Sequence, residues 1–175
     1  MSTFGIIAII VSVVIIVALI FGNIGDSKPA TSPSTQKKEF SMDIEMLGDE
    51  QKQKDDYSDY FFNTYIAGAS HHCTNKDVGV FAGFAVPDPD NEYDKDAVAI
   101  INNDGKLLGY IAKKELGDFR VWSNNKAVPC VGHIALAQEE EGSLHTNVKC
   151  MRPYSLEFVQ EEVKKYVDWY KEKYK

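Results

Sequence analysis

A chain of 175 residues has room for one domain with a full core and little more, since domains usually hold about 100 to 200 residues. The net charge is −7, and the first forty residues hold only Lys28, Lys37 and Lys38 against Asp26 and Glu39, which leaves 16 basic against 24 acidic residues beyond them. Such an acidic domain argues against strong nonspecific binding to long duplexes, where Lys and Arg replacing condensed counterions supply the affinity, but it leaves room for a local pocket that grips a strand end.

Residues 4–21 are an uninterrupted run of apolar and small residues without a charge, about the length that crosses a bilayer core as a helix. Hydrocarbon offers no partner for a bare amide, so a spanning segment of this kind must be helical. Nothing basic precedes the run, it is long for the apolar part of a signal peptide, and no Ala-x-Ala site follows. The expectation is a transmembrane helix at residues 4–22 behind a tail of residues 1–3, in contact with the lipid bilayer. Lys28, Lys37 and Lys38 follow this helix and no basic residue precedes it, which predicts a single-pass membrane protein with its C-terminal domain in the cytoplasm. Cys73, Cys130 and Cys150 are odd in number and lack framework spacing, which suits reduced thiols.

Residues 23–59 are expected as a flexible linker. Up to residue 38 they are mostly Gly, Asn, Asp, Ser, Pro, Thr and Lys, which cannot bury enough apolar surface to order themselves. Residues 40–59 are mixed and acidic, with Met42, Ile44, Met46 and Leu47 leaving room for a short peripheral element.

The globular part is set at residues 60–159. Residues 60–68 are aromatic and β-branched and predict a first strand; residues 78–86 predict a second, in which Gly79 and Gly83 mark bends or bulges. Residues 97–102 and 107–112 form a hairpin around Asp104-Gly105. Leu116, Phe119 and Trp122 stand near a spacing of three, which predicts a short helix over residues 114–124 despite Gly117. Strands follow at residues 127–137 and 146–159, the second interrupted near Pro153. Short strands around one inserted helix predict a mainly β, α+β fold: a small, partly open β-barrel. Val163, Tyr166, Val167, Tyr170 and Tyr174 then recur at helical spacing, so residues 160–175 are read as a C-terminal amphipathic helix packed on the barrel or on a partner. Its polar face is mixed in sign, which counts against a membrane-surface role.

No catalytic signature is present: there is no Walker glycine-lysine loop, no Gly-x-Ser-x-Gly elbow and no His-Glu-x-x-His. Cys73 beside His72 has no evident orienting group in sequence. His71-His72-Cys73 and Cys130-x-x-His133 contain zinc-ligand residue types, but neighbours and three-residue steps along a strand point to opposite faces, so neither group converges by itself. The acidic run Asp88, Asp90, Glu92, Asp94, Asp96 lacks the glycine and the terminal glutamate of a calcium loop and reads as a solvated loop. No metal and no cofactor are expected.

Gly68-x-x-His71, then Asp90-Asn91-Glu92-Tyr93-Asp94-Lys95-Asp96-Ala97-Val98, then Gly109-Tyr110-Ile111 after one hairpin, is an order that resembles the HIRAN domain family over residues 63–159. That family occurs inside Swi/Snf-type DNA-remodelling ATPases and alone in bacterial proteins. The resemblance implies an OB-related barrel that binds the free 3′ end of a single strand. Carried over position by position, it implies Tyr93 as the ring that stacks on the last base, Asp94 as acceptor for the terminal hydroxyl, Asn91 as a further polar contact and Lys113 as a phosphate contact. His71 stands where family members often place an aromatic residue, and Ser70 where the DNA-binding member has an arginine, so a bidentate phosphate clamp is missing. The chemistry is coherent, because every base has a π face and only a terminal nucleotide offers that hydroxyl. Turn chemistry alone gives a second account, in which Asn91 and Asp94 bond the loop's own amides and Tyr93 caps the core. The ATPase of the larger proteins is not encoded, so the implied function is binding without catalysis. The expectation is a membrane-anchored nucleic-acid-binding protein; the alternative is a membrane-tethered interaction module that takes a peptide or a partner subunit.

Overall fold

The computed structural model describes residues 39–136 and 144–174. The apolar run at residues 4–22 and the linker up to residue 38 lie outside them; among the described residues no helix is long and apolar enough to cross a membrane. Glu39–Lys175 forms one compact unit. It holds its own core, the property that lets a domain fold alone.

Seven strands make one antiparallel sheet: β1 (Phe61–Thr64), β2 (Ile66–Ala67), β3 (Gly79–Pro87), β4 (Val98–Asn102), β5 (Leu107–Ile111), β6 (Val128–Leu136) and β7 (Leu144–Met151). Their order is β1-β7-β6-β3-β4-β5-β2. The first two strands in sequence are thus the two outer strands of the sheet, separated by Tyr65 alone. The Ile66 amide reaches across to Thr146 Oγ1 on β7 at 2.8 Å, so the sheet curls into a nearly closed barrel with its seam at this corner. Inward-facing Ala85, Val98, Ile100, Leu108, Val128, Cys130, Ile134, Val148 and Cys150 fill it. The short helix α3 (Lys113–Trp122) plugs one side with buried Leu116 and Phe119.

Gly109 shows why the hairpin needs its glycine. It sits at φ 144°, opposite the register shift between Ile100 and Ile101. A Cβ there would stand 2.4 Å from Ile66 Cγ2 and 2.6 Å from the Ala67 carbonyl oxygen. The missing side chain is what lets β2 lie down on β5, with Ile66 opposite Ile111 and Ala67 opposite Tyr110.

Three features differ from the sequence expectation. First, ordered structure begins well before residue 60. Helix α1 (Gly48–Lys54) is tied to the barrel by the Leu47 and Gly48 amides on the Pro153 and Tyr154 carbonyls, each at 3.0 Å. Asp55 then receives the Tyr154 hydroxyl at 2.6 Å, Gln51 at 2.6 Å and Arg152 at 3.0 Å. Burial of this carboxylate opposes ionisation, but those hydrogen bonds together with the Arg152 charge hold its pKa below the ordinary value. Second, the last strand ends at Met151, and residues 156–159, expected as strand, begin helix α4 (Leu156–Lys173). Pro153 stops the ladder and Ser155 caps the helix, accepting from the Phe158 amide at 3.1 Å. Third, the expected first strand breaks at Tyr65, and residues 69–72 form a single helical turn, α2 (Ala69–His72).

The stripe of α4 packs on the barrel as its spacing predicts, with Val159, Val163 and Val167 buried. Glu162 on the same face is buried too and is met by Lys149 at 2.8 Å and Lys165 at 2.9 Å.

Candidate functional site

The loop between β3 and β4 is built by its own side chains. The Asp88 amide donates to the Ala97 carbonyl at 2.8 Å, and the Ala97 amide to the Asp94 carbonyl at 3.0 Å, which pins both ends. Asn91 is buried, and its Oδ1 accepts from the Tyr93 and Asp94 amides at 3.0 and 3.1 Å, an Asx-type turn. Its Nδ2 faces Asp88 Oδ2 at 3.4 Å. Asn91 therefore works inside the loop, as turn chemistry expects, rather than on an open surface. Tyr93 does the opposite. Its side chain is 95% exposed and caps no core. A large ring left in water on a loop whose backbone is fixed from beneath leaves both its faces open. Asp94 lies between these extremes: Oδ1 accepts from the Asp96 amide at 3.0 Å, while Oδ2 lies 3.8 Å from Lys113 Nζ and can still take a hydroxyl proton donor.

Lys113 and Lys114 open α3. Cations are disfavoured at a helix start, where the macrodipole is positive, and Ala112 supplies no side-chain cap for the first amides. The first turn also contains Glu115, but its Oε2 is held by Thr64 Oγ1 at 2.5 Å. Lys113 is 91% exposed. Lys114 Nζ lies 5.3 Å from the centre of the Tyr65 ring. Lys114 Nζ also lies 3.8 Å from Glu115 Oε1, so the two lysines are balanced by two carboxylates at this spot, and it is the exposed Lys113 ammonium with the free amides of the helix start that suits a phosphate.

Beside this spot the barrel seam opens into a groove of about 420 Å³, lined on one side by Tyr65, Ile66 and the α2 turn with Ser70, and on the other by Leu144, His145 and Thr146. The pairing of Ile66 with Ile111 sets the groove wall next to the strand that leads into Lys113, and Asp94 adjoins Lys113 in turn. The groove thus neighbours the helix start, and the helix start neighbours the loop through Asp94. Of the residues singled out in sequence, Asp94 and Lys113 meet, Ser70 lines the groove, and Tyr93 follows Asn91 on the loop with its ring in solvent. His71 is exposed on α2, its amide bonded to the Gly68 carbonyl at 3.0 Å. Tyr65, Lys114, His145 and Thr146 were not singled out. Tyr65 was hidden in an aromatic run read as continuous strand, and nothing local marks His145 and Thr146 as neighbours of a segment about 80 residues earlier.

The groups with metal or nucleophile chemistry are dispersed. His72 packs edge-on against Tyr110, with ring centres 6.0 Å apart, and burial, then the His71 and Lys106 charges, lower its pKa. Cys73 donates to the Leu108 carbonyl at 3.3 Å, and burial, then Asp77, raises its thiol pKa, the reverse of what a nucleophile needs. Cys130 faces the core while His133 faces α4. Among the described residues no three metal-ligating side chains converge.

No protein-family model matches the chain, and no curated protein does. Among solved structures, the crystal structure of the HIRAN domain of human HLTF matches with a TM-score of 0.39 and 17% identity, over 61% of this chain and 88% of that one. This is the domain type that the residues suggested. A TM-score of this size carries no argument about function, which rests on the site itself.

Proposed function

We propose that this protein is a membrane-anchored binding module that takes the 3′ end of a single nucleic-acid strand, without catalysis, at the surface formed by Tyr93, Asp94, Lys113 and the seam groove. The observation that carries the reading is the Tyr93 ring, held out into solvent on a braced loop beside a carboxylate with a usable oxygen and a lysine-bearing helix start. The ring stacks on the terminal base, Asp94 Oδ2 accepts from the 3′-hydroxyl, and Lys113 with Lys114 meets the phosphates. The net charge of −7 keeps the affinity modest, and with only two lysines on the phosphates it falls gently with salt. The test is fluorescence anisotropy of residues 39–175 with oligonucleotides carrying a 3′-hydroxyl or a 3′-phosphate, at low and moderate salt. Preference for the hydroxyl, lost in Asp94→Ala, is expected; equal binding of both ends by the parent would falsify the end-selective reading.

A second reading, an interaction module for an extended peptide, is favoured by one observation. Among the described residues, β7 pairs with β1 only from Val148 onward, so residues 144–147 present a strand edge to the groove. Competition between a peptide and the oligonucleotide for residues 39–175 separates the two.

A further inference from the structure

The far end of α4 carries a second group of aromatic and cationic side chains. Tyr166, Trp169, Tyr170 and Tyr174 all pack around His133 of β6, with ring centres 6.2, 6.0, 5.3 and 5.7 Å from the imidazole. Tyr166 is locked, its hydroxyl 2.8 Å from His133 Nδ1 and 3.2 Å from Asn147 Oδ1. Trp169 and Tyr174, at the outside of the group, remain 43% and 48% exposed. Lys173 Nζ sits over both, 4.9 and 5.4 Å from their ring centres. Lys171 stands in the same last turn. Asp168 and Glu172 balance the two lysines in these turns, so the stacking capacity lies in the exposed rings over their packed layer, the feature of a platform for single strands.

The register ties this platform to the groove. His133 is opposite Asn147 and Ala135 is opposite His145. His145 lines the groove and shares a strand face with Asn147, which touches Tyr166; two residues of strand span about 7 Å. The path from groove to platform is therefore short and runs over one face of β7.

We propose that a strand held by its 3′ end at Tyr93 continues through the seam groove, past His145, onto Trp169 and Tyr174, where nucleotides 5′ to the end stack and Lys173 turns from the rings to a phosphate. This rests on the end-binding reading above. The experiment compares 5′-fluorescein oligothymidylates of three and ten nucleotides, both with a free 3′-hydroxyl, binding to residues 39–175. The decamer is expected to bind about tenfold more tightly than the trimer. Trp169→Ala with Tyr174→Ala removes that advantage and leaves the trimer unchanged, Trp169→Phe keeps it, and the unchanged trimer affinity certifies the fold of each variant. Decamer binding also quenches Trp169 emission, read in Trp122→Phe protein. Equal affinity for trimer and decamer, or a decamer advantage that survives the double substitution, overturns the platform and leaves end binding standing. Failure of the parent to bind either oligonucleotide overturns both.

Discussion

Two regions of the barrel use the same residue types in opposite ways. Around His133, tyrosines and a histidine close on one another, and Glu162 a turn or more back is gripped by two lysines. Around Tyr93 the ring stands clear in solvent, Asp94 pairs loosely with Lys113 at 3.8 Å, and the backbone beneath, braced by Asn91, holds the loop in place. Around His133 the inner rings hold one another, and the outer Trp169 and Tyr174 keep part of their surface open; on the Tyr93 loop the backbone does the holding and the whole ring stays open to a partner.

Four experiments break or sharpen that contrast. The largest effect is expected at Gly109, where alanine would collide with Ile66 and the Ala67 carbonyl at a backbone conformation that suits glycine; Gly109→Ala should cost about 3 kcal/mol or more by denaturant titration and disturb the groove with it. Next is Asp55→Ala, which leaves Arg152 and the Tyr154 hydroxyl without their shared acceptor. A loss of about 2 to 3 kcal/mol is expected, with oligonucleotide affinity per folded molecule unchanged. The same carboxylate has a lowered folded pKa, so its contribution is present above the ordinary aspartate range and is lost as pH falls through the folded value, which acid melts of parent and Asp55→Asn would separate. Third, Tyr93→Ala should change stability by less than about 0.5 kcal/mol yet weaken strand binding about tenfold. A variant that melts early would instead place Tyr93 with the packed rings and erase the contrast.

The smallest effect concerns His133, whose pKa is lowered by burial and then by the Lys173 charge. The unfolded chain then takes a proton more readily than the folded one. Stability is therefore full above the ordinary histidine pKa and falls as pH drops below it. Melting at pH 7.5 and 5.5 should show the decline, reduced in His133→Gln; His72, shifted in the same direction, accounts for what remains.

The barrel strands were legible because local pattern and tertiary role agree there. Residues 78–86, the hairpin around Asp104-Gly105 and the helix bearing Leu116 and Phe119 all bury the faces that their spacing marks. The site was legible in part. Asn91 is explained by turn chemistry and Tyr93 is not, and no local pattern separates a ring that caps a core from one that stands in water. A short element before residue 60 was foreseeable, but its tie to the barrel was not, because that hold is polar and distant: Asp55 meets Arg152 and Tyr154 nearly a hundred residues away. The groove escaped for the same reason, since Tyr65 and Thr146 meet only once the sheet has curled.

That curl has a mechanical corollary. Because the outermost strands of the cylinder are covalent neighbours joined through one residue, neither can slide past the other by changing register, and a hydroxyl clasp from Thr146 on the facing strand ties the following strand across the groove. Adding one residue beside Tyr65 would turn the following strand inside out, so the aperture can be retuned by swapping what lines it but hardly by lengthening its hinge.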